Sequence, residues 1–266
     1  MKEQGKKITM LTAYDASMAG LFHSCGVDIL LVGDSLGMVV LGYDSTVPVT
    51  MDEMLHHCTA VRRGAPDAFV VGDMPFGSYQ TGAYDAVDNG LRFLKEAGAD
   101  AVKLEGGIEV CETISELVRA GIPVMGHIGL TPQTAGQSGG FTVQGKDDDS
   151  ARRLFQDARA LQDAGVFAIV LECIPAGLAE VISSSLTVAT IGIGAGVGCD
   201  GQVLVSHDLL GMFAKFTPRF VKKYADLAPL IIQAVKEYVQ DVEEGQFPED
   251  SHSFSSKQDF TKLLKE

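Results

Sequence analysis

Four times along the chain a helical pattern stops at a glycine and gives way to an apolar, β-rich run. The junctions are CGVD at 25–28, AGAD at 97–100, AGIP at 120–123 and AGVF at 164–167. Glycine at such a point supplies the left-handed backbone that closes a helix. Repeated helix–Gly–strand units require parallel strands joined by right-handed crossovers. Strands are expected at 8–14, 29–33, 69–73, 101–105, 123–128, 168–172, 188–193 and 203–207. Helices are expected at 16–25, 52–63, 84–97, 109–120, 150–164 and 176–184. Eight strands in roughly 200 residues fit an α/β fold of the (β/α)8 TIM-barrel kind, closed by a last helix at 227–244. An open doubly wound sheet is the competing architecture. Against it, no GxGxxG follows the first strand, and polar residues end nearly every strand instead of those at one switch point. The expected organisation is a single barrel domain with its C-terminal helix over 1–246, and a polar tail over 247–266. The connection 131–149 is long and rich in glycine and polar residues, which in a compact domain marks a functional or mobile segment.

The net charge of −14 argues against a nucleic-acid or anionic-membrane partner. It leaves small anionic substrates open, because a local metal or lysine overrides the global charge. Cysteines 25, 58, 111, 173 and 199 are odd in number and lack CxxC spacing. Neither a disulfide framework nor a zinc site is expected from them. Asp15 interrupts the apolar N-terminal segment, and no apolar run reaches membrane-spanning length. A cytoplasmic protein with reduced thiols is expected.

In a parallel barrel, active sites gather at the C-terminal ends of the strands. The candidates there are Tyr14-Asp15 after strand one, Asp34-Ser35 after strand two and Asp73 in VVGDMPF after strand three. Strand four gives Lys103 and Glu105 in AVKLEGG, strand five His127 in MGHIGL, and strand six Glu172 in IVLECIP. Strand seven runs into GIGAGVG, and strand eight gives His207-Asp208. Each has a structural alternative. An aspartate after a strand is more often a turn or cap, Lys103 and Glu105 share one strand face and could neutralise each other, and His127 could be a core histidine. The structural readings weaken jointly, because so many charges converging on one mouth would be costly without a purpose. A divalent metal makes such a cluster favourable. Asp34, Asp73 and Glu105 are hard oxygen donors with no cysteine or HExxH partner, which suits Mg²⁺ or Mn²⁺. A magnesium ion bound by few carboxylates would keep positions open to chelate a 2-oxo acid.

The segments LVGDSLGM, DSTVPVTMDEM, VRRGAP, GDMPFGSY, VKLEGG, GHIGLTPQ, VLECIP, IGIGAG, DGQVLVSHDLLGM and FTPRFVKKYADL occur in that order along the chain. In this order they resemble the ketopantoate hydroxymethyltransferase family over roughly 8 to 252 of the numbering. The resemblance implies a TIM barrel of the phosphoenolpyruvate/pyruvate type, assembled as a homodecamer. It implies transfer of a hydroxymethyl group from 5,10-methylenetetrahydrofolate to 3-methyl-2-oxobutanoate through a magnesium-stabilised enolate, giving 2-dehydropantoate, the first committed step towards pantothenate. Carried over, Asp34 and Asp73 correspond to the magnesium ligands, one ion per subunit, and Glu105 to a third acid at the metal. Asp34, Ser35, Asp73 and Lys103 correspond to the contacts of the 2-oxo acid, and Glu172 to the proton acceptor. The apolar neighbours Leu171, Cys173 and Ile174 would desolvate the Glu172 carboxylate. The structural alternative is that Glu172 orients His127, which has a supporting role, or a water.

One stretch departs from the family pattern. Many members carry GGYKVQGR in the long loop, where this chain has GGFTVQGK at 139–146. Phe141 has no phenol, Thr142 removes a cation, and Lys146 stands for an arginine, so the folate contacts of this loop stay open. A C–C lyase or mutase acting on an oxaloacetate-like acid is the alternative enzyme. It lacks support from a catalytic-cysteine segment of the KKCGH kind. A barrel that only binds a metabolite is the non-enzymatic alternative, and it should have lost some of these mouth residues.

Overall fold

Runs that are apolar on both faces need cover on both faces, and each becomes a strand with helices outside it and other strands' side chains inside. The computed structural model describes residues 1–136, 142–213 and 218–265. Its strands are β1 (Ile8–Thr12), β2 (Ile29–Val32), β3 (Phe69–Asp73), β4 (Ala101–Glu105), β5 (Val124–Gly129), β6 (Ala168–Glu172), β7 (Ala189–Ile193) and β8 (Gly201–Leu204). All pair in parallel in chain order, and β8 returns to β1 through the register Ile8↔Gly201 to Leu11↔Leu204. The sheet is therefore a closed barrel, as expected, and not an open doubly wound one.

The helices are α1 (Ala16–Ser24), α2 (Leu36–Val39), α3 (Met51–Gly64), α4 (Ala83–Lys95), α5 (Cys111–Arg119), α6 (Asp148–Ala164), α7 (Ala176–Ser185), α8 (Ser206–Leu209) and α9 (Leu227–Glu243). The four junction glycines, Gly26, Gly98, Gly121 and Gly165, all have positive φ (80°, 69°, 86° and 101°), which bears out their reading as left-handed caps. Reciprocal capping boxes start two helices earlier than their apolar periodicity suggests. Thr50 and Glu53 start α3, and Asp147 and Ser150 start α6.

Two strand ends differ from expectation. β1 stops at Thr12, and Asp15 is a cap, its Oδ1 accepting from the Met18 N–H at 2.9 Å. The last strand lies at Gly201–Leu204 instead of 203–207, so His207 and Asp208 belong to α8. A Cβ at Gly201 would stand 2.5 Å from the Ile8 carbonyl oxygen. Barrel closure thus needs glycine where glycine reads as a strand breaker.

The apolar interior has two layers. Ile8, Met10, Ile29, Leu31, Val71, Ala101, Met125, Ala168, Val170, Ile191, Ile193 and Val203 fill the barrel. Between strands and helices lies a larger layer that includes Met54, Phe93, Ile114, Leu117, Leu161 and Ile182, all fully buried or nearly so. Each such side chain stabilises the fold by about 1.5–3 kcal/mol relative to exposure. In contrast, α9 has no buried residue, and Leu230, Ile231, Val235 and Val239 stand exposed on it. Among the described residues, no helix is long and apolar enough to cross a membrane.

Candidate active site

Side chains two apart on a strand share a face, so each strand sends one column of residues into the barrel. On five strands that column is apolar below and polar at the C-terminal end. Met10 is followed by Thr12, Val71 by Asp73, Ala101 by Lys103 and Glu105, Met125 by His127, and Val170 by Glu172. The same periodicity that builds the core therefore aims the polar set into the mouth. Asp34 arrives from the turn after β2, and its N–H donates to Asp73 Oδ2 at 3.1 Å.

At the centre, Lys103 Nζ lies 2.7 Å from Asp73 Oδ1, with both side chains almost fully buried. The approach is an ion pair, not an aligned hydrogen bond, and among the described residues no directed donor serves Asp73 Oδ1. Lys103 Nζ is also 3.3 Å from His127 Nδ1. The imidazole sits between two acids: its Nδ1 is 3.5 Å from Glu105 Oε1, and its Nε2 is 3.2 Å from Glu172 Oε2. Glu172 is the more open of the two, its side chain 14% exposed.

The electrostatics of this group follow from burial. Burial works against a charged Lys103, but the carboxylates of Asp73, Glu105 and Asp34 outweigh it and hold the ammonium above its usual range. Burial and the Lys103 charge also oppose a protonated His127, yet Glu105 and Glu172 lift the ring to about 9. Burial raises Glu105 too, but here His127, Lys103 and the Gln133 N–H prevail and leave it below its usual range. Asp34 goes the other way. Burial first, then the charges of Asp73 and Glu105, push its carboxyl well above the ordinary carboxylate range. Asp73 is raised as well, burial outweighing its lysine. The Asp34–Asp73 corner is short of positive charge.

A divalent cation fits that shortage. Asp34 and Asp73 are hard oxygen donors, buried and adjacent, the Asp34 N–H donating to Asp73 Oδ2. Glu105 is turned elsewhere, with Oε2 accepting from the Gln133 N–H at 3.0 Å and Oε1 facing His127. Among the described residues no three His, Cys, Asp or Glu side chains gather closely enough to hold an ion unaided. Two carboxylates with the remaining positions given to water or substrate is a normal arrangement for Mg²⁺.

The structure brings Asp34, Asp73, Lys103, Glu105, His127 and Glu172 together. Ser35 stands beside them at the start of α2, its Oγ 2.9 Å from the Tyr14 hydroxyl. Asp15 and Asp208 do not join the network, and the His207 ring packs against Tyr14, with ring centroids 5.5 Å apart. Tyr79 and Gln133 were missed by a search for charge. Both are buried neutral groups within the network, and their place in GDMPFGSY and GHIGLTPQ was the one available signal. Phe141 lies outside the described residues. Thr142 and Lys146 are exposed, and between them Gln144 N–H donates to the Cys173 carbonyl at 2.9 Å. Cys173, directly after Glu172, has φ 48°. A side chain held there costs of order 1–3 kcal/mol, and such outliers cluster at active sites.

A family model described as ketopantoate hydroxymethyltransferase matches residues 1–250. The chain belongs to this family. A 3-methyl-2-oxobutanoate hydroxymethyltransferase of Desulfotalea psychrophila is 66% identical over 264 residues, covering 99% of this chain and 95% of the relative. The protein of the same name from Carboxydothermus hydrogenoformans is 62% identical, covering 96% and 92%. Among solved structures, 2,3-dimethylmalate lyase, a PEP mutase/isocitrate lyase superfamily member, has a TM-score of 0.58 at 16% identity, covering 99% of this chain and 90% of that one. At that identity the likeness is one of fold alone, the closed (β/α)8 TIM barrel. The hydroxymethyltransferase family assignment rests on the first three matches.

The buried ion pair makes a direct prediction. Lys103→Met should leave Asp73 buried without its partner and destabilise the protein by about 3–5 kcal/mol, measured by urea denaturation in the presence of EDTA. An unchanged midpoint would contradict the pair.

Proposed function

We propose that this chain is a 3-methyl-2-oxobutanoate hydroxymethyltransferase, with 5,10-methylenetetrahydrofolate as one-carbon donor and Mg²⁺ held by Asp34 and Asp73. One observation carries the reading. The family match runs along the whole barrel, and the residues that the family resemblance points to converge at its mouth. When bound, the metal would supply Lewis acidity to the 2-oxo acid and acidify the carbon beside its carbonyl.

The chain's own groups do the rest. The Lys103 ammonium offsets the negative charge of the 2-oxo acid, acting as a point charge on a flexible stem. Ser35 Oγ, paired with the Tyr14 hydroxyl, would donate to the substrate carboxylate. Asp34 and Asp73 are committed to the cation and to Lys103, and Glu105 to His127 and Gln133, which leaves them poor bases. Glu172 contacts the edge of His127 opposite Lys103 and keeps some exposure, so it is the acid free to accept the proton from C3. His127 lies against it, so the proton-acceptor role of Glu172 and the alternative of orienting His127 are compatible: it pairs with the ring and works from there. In the balance of the reaction the methylene carbon exchanges its two bonds to folate nitrogens for one bond to C3 and one to the hydroxyl of water, and the proton taken from C3 and the second proton of that water go to the two nitrogens of the departing tetrahydrofolate.

The apolar stripe of α9, Ile231, Val235, Tyr238 and Val242, recurs at helical spacing and stands exposed, with Tyr238 meeting Phe247 of the tail at a ring-centroid distance of 5.8 Å. We assign it to contacts between copies in a homo-oligomer, a decamer by family resemblance, with residues 1–246 working as one barrel unit and 247–266 as an exposed tail. The five free cysteines fit a reducing, cytoplasmic setting.

Incubation with Mg²⁺, 3-methyl-2-oxobutanoate and 5,10-methylenetetrahydrofolate should give ketopantoate by mass. Without folate, the protein should exchange the C3 proton with deuterated solvent. Glu172→Gln should slow that exchange by roughly 10²–10⁴-fold, and wild-type exchange in this variant would remove Glu172 from the base role. Light scattering at micromolar concentration should give a mass near ten copies of the 28.2-kDa chain. A single-chain mass would contradict the assembly.

A further inference from the structure

Gln133 lies in the first turn of the long loop after β5, within the 3-10 turn Pro132–Thr134, and is almost fully buried. A buried neutral amide in the midst of charged groups needs partners for every donor and acceptor. It finds them all. Its Nε2 donates to Asp34 Oδ2 at 2.9 Å and to the Met74 carbonyl at 2.9 Å. Its Oε1 accepts from the Tyr79 hydroxyl at 2.7 Å, with Gln80 Nε2 further off at 3.4 Å. Its backbone N–H donates to Glu105 Oε2 at 3.0 Å.

The orientation of this amide is not arbitrary. The Met74 carbonyl can only accept, so the NH₂ group must face it, and Oε1 must then face Tyr79. The Tyr79 hydroxyl accepts from the Glu105 N–H at 3.2 Å and has two acceptors for its one proton, Gln133 Oε1 at 2.7 Å and the Glu105 carbonyl at 3.1 Å, the contact to Gln133 being the shorter. A hydrogen-bonded chain thus runs from the backbone at the end of β4, through Tyr79 and Gln133, to one oxygen of Asp34. That oxygen is occupied by a donor, and the other is left for a different partner.

We propose that Gln133 is a positioning residue that sets the Asp34 carboxylate for cation binding. The inference rests on the reading of Asp34 and Asp73 as the metal ligands. Gln133 holds one Asp34 oxygen through its amide, leaving the other without a bond from this residue, and through its N–H it holds one oxygen of Glu105. Both functions come from a single loop residue that touches neither the cation nor the substrate. Partners of this outer kind typically alter metal affinity by about 10–100-fold when removed.

Calorimetric titration with Mn²⁺ alone, without substrates, tests this. In Gln133→Met, which keeps the length and loses both donors, the Mn²⁺ dissociation constant should rise about 10–100-fold. Activity lost at low Mg²⁺ should return at high Mg²⁺, a split that a merely structural defect would not give. Tyr79→Phe keeps the ring, removes the short donor to Gln133 Oε1 and so loosens the amide, and should weaken Mn²⁺ binding in the same direction by a smaller factor. It decides the matter should Gln133→Met not fold. Wild-type Mn²⁺ affinity in a folded Gln133→Met protein, or in Tyr79→Phe where the first variant does not fold, would overturn the inference. Absence of Mn²⁺ binding to the wild-type protein would instead overturn the metal reading, and the inference with it.

Discussion

Charge buried inside a barrel must be neutralised within the barrel, and the Lys103–Asp73 pair is where that requirement is met first. Moving either group alone out of water costs several kcal/mol, and together the cost is recovered only with good geometry and further hydrogen bonds. Around this pair, among the described residues, the mouth holds Asp34, Glu105 and Glu172 against one further basic group, His127. Glu105 and Glu172 are served by the imidazole. Among the described residues Asp34 takes its side-chain hydrogen bond from the neutral amide of Gln133, and burial with the charges of Asp73 and Glu105 pushes its carboxyl well above the ordinary range. The imbalance sits beside Asp73 Oδ1, the buried oxygen without a directed donor. A cation there would complete the neutralisation, and an anionic 2-oxo acid would then find both Lys103 and the metal on one side.

The scaffold achieves this with no special device beyond the pleat. Because inward columns repeat every second residue, the strands that pack Val71, Ala101, Met125 and Val170 in the barrel must present Asp73, Lys103, His127 and Glu172 one step above. The apolar layer supports the charged layer from below and keeps water from its lower side. The loops then act on it from above. The turn at Pro132–Thr134 brings Gln133 to Asp34, and the stretch through Gln144 ties down the strained residue after Glu172. Loops carry specificity here while the strands carry charge.

Much of this could be read in the sequence, for physical reasons that differ by element. Glycine caps and apolar runs are local signals, and the strands from 29–33 to 188–193 came out within a residue or so of their places. The last strand did not, because Gly201 is required by the approach of Ile8, a contact 193 residues away along the chain. The charged site residues were legible since charge at a strand end is costly and stands out. Gln133 and Tyr79 were not, since a neutral side chain becomes informative only when its partners are known. Likewise, His207 and Asp208 looked like strand-end candidates until the earlier end of β8 placed them on α8.

The central claim is that the Asp34–Asp73 corner is built for a divalent cation that receives a 2-oxo acid. Crystals grown with Mn²⁺ and 3-methyl-2-oxobutanoate, measured for anomalous scattering, test it most directly. The expected result is one strong peak per subunit, coordinated by Asp34 and Asp73 and by two oxygens of the bound acid, with Lys103 against its charge. A peak elsewhere, or an acid bound in the mouth with no metal between it and the two aspartates, would contradict the account.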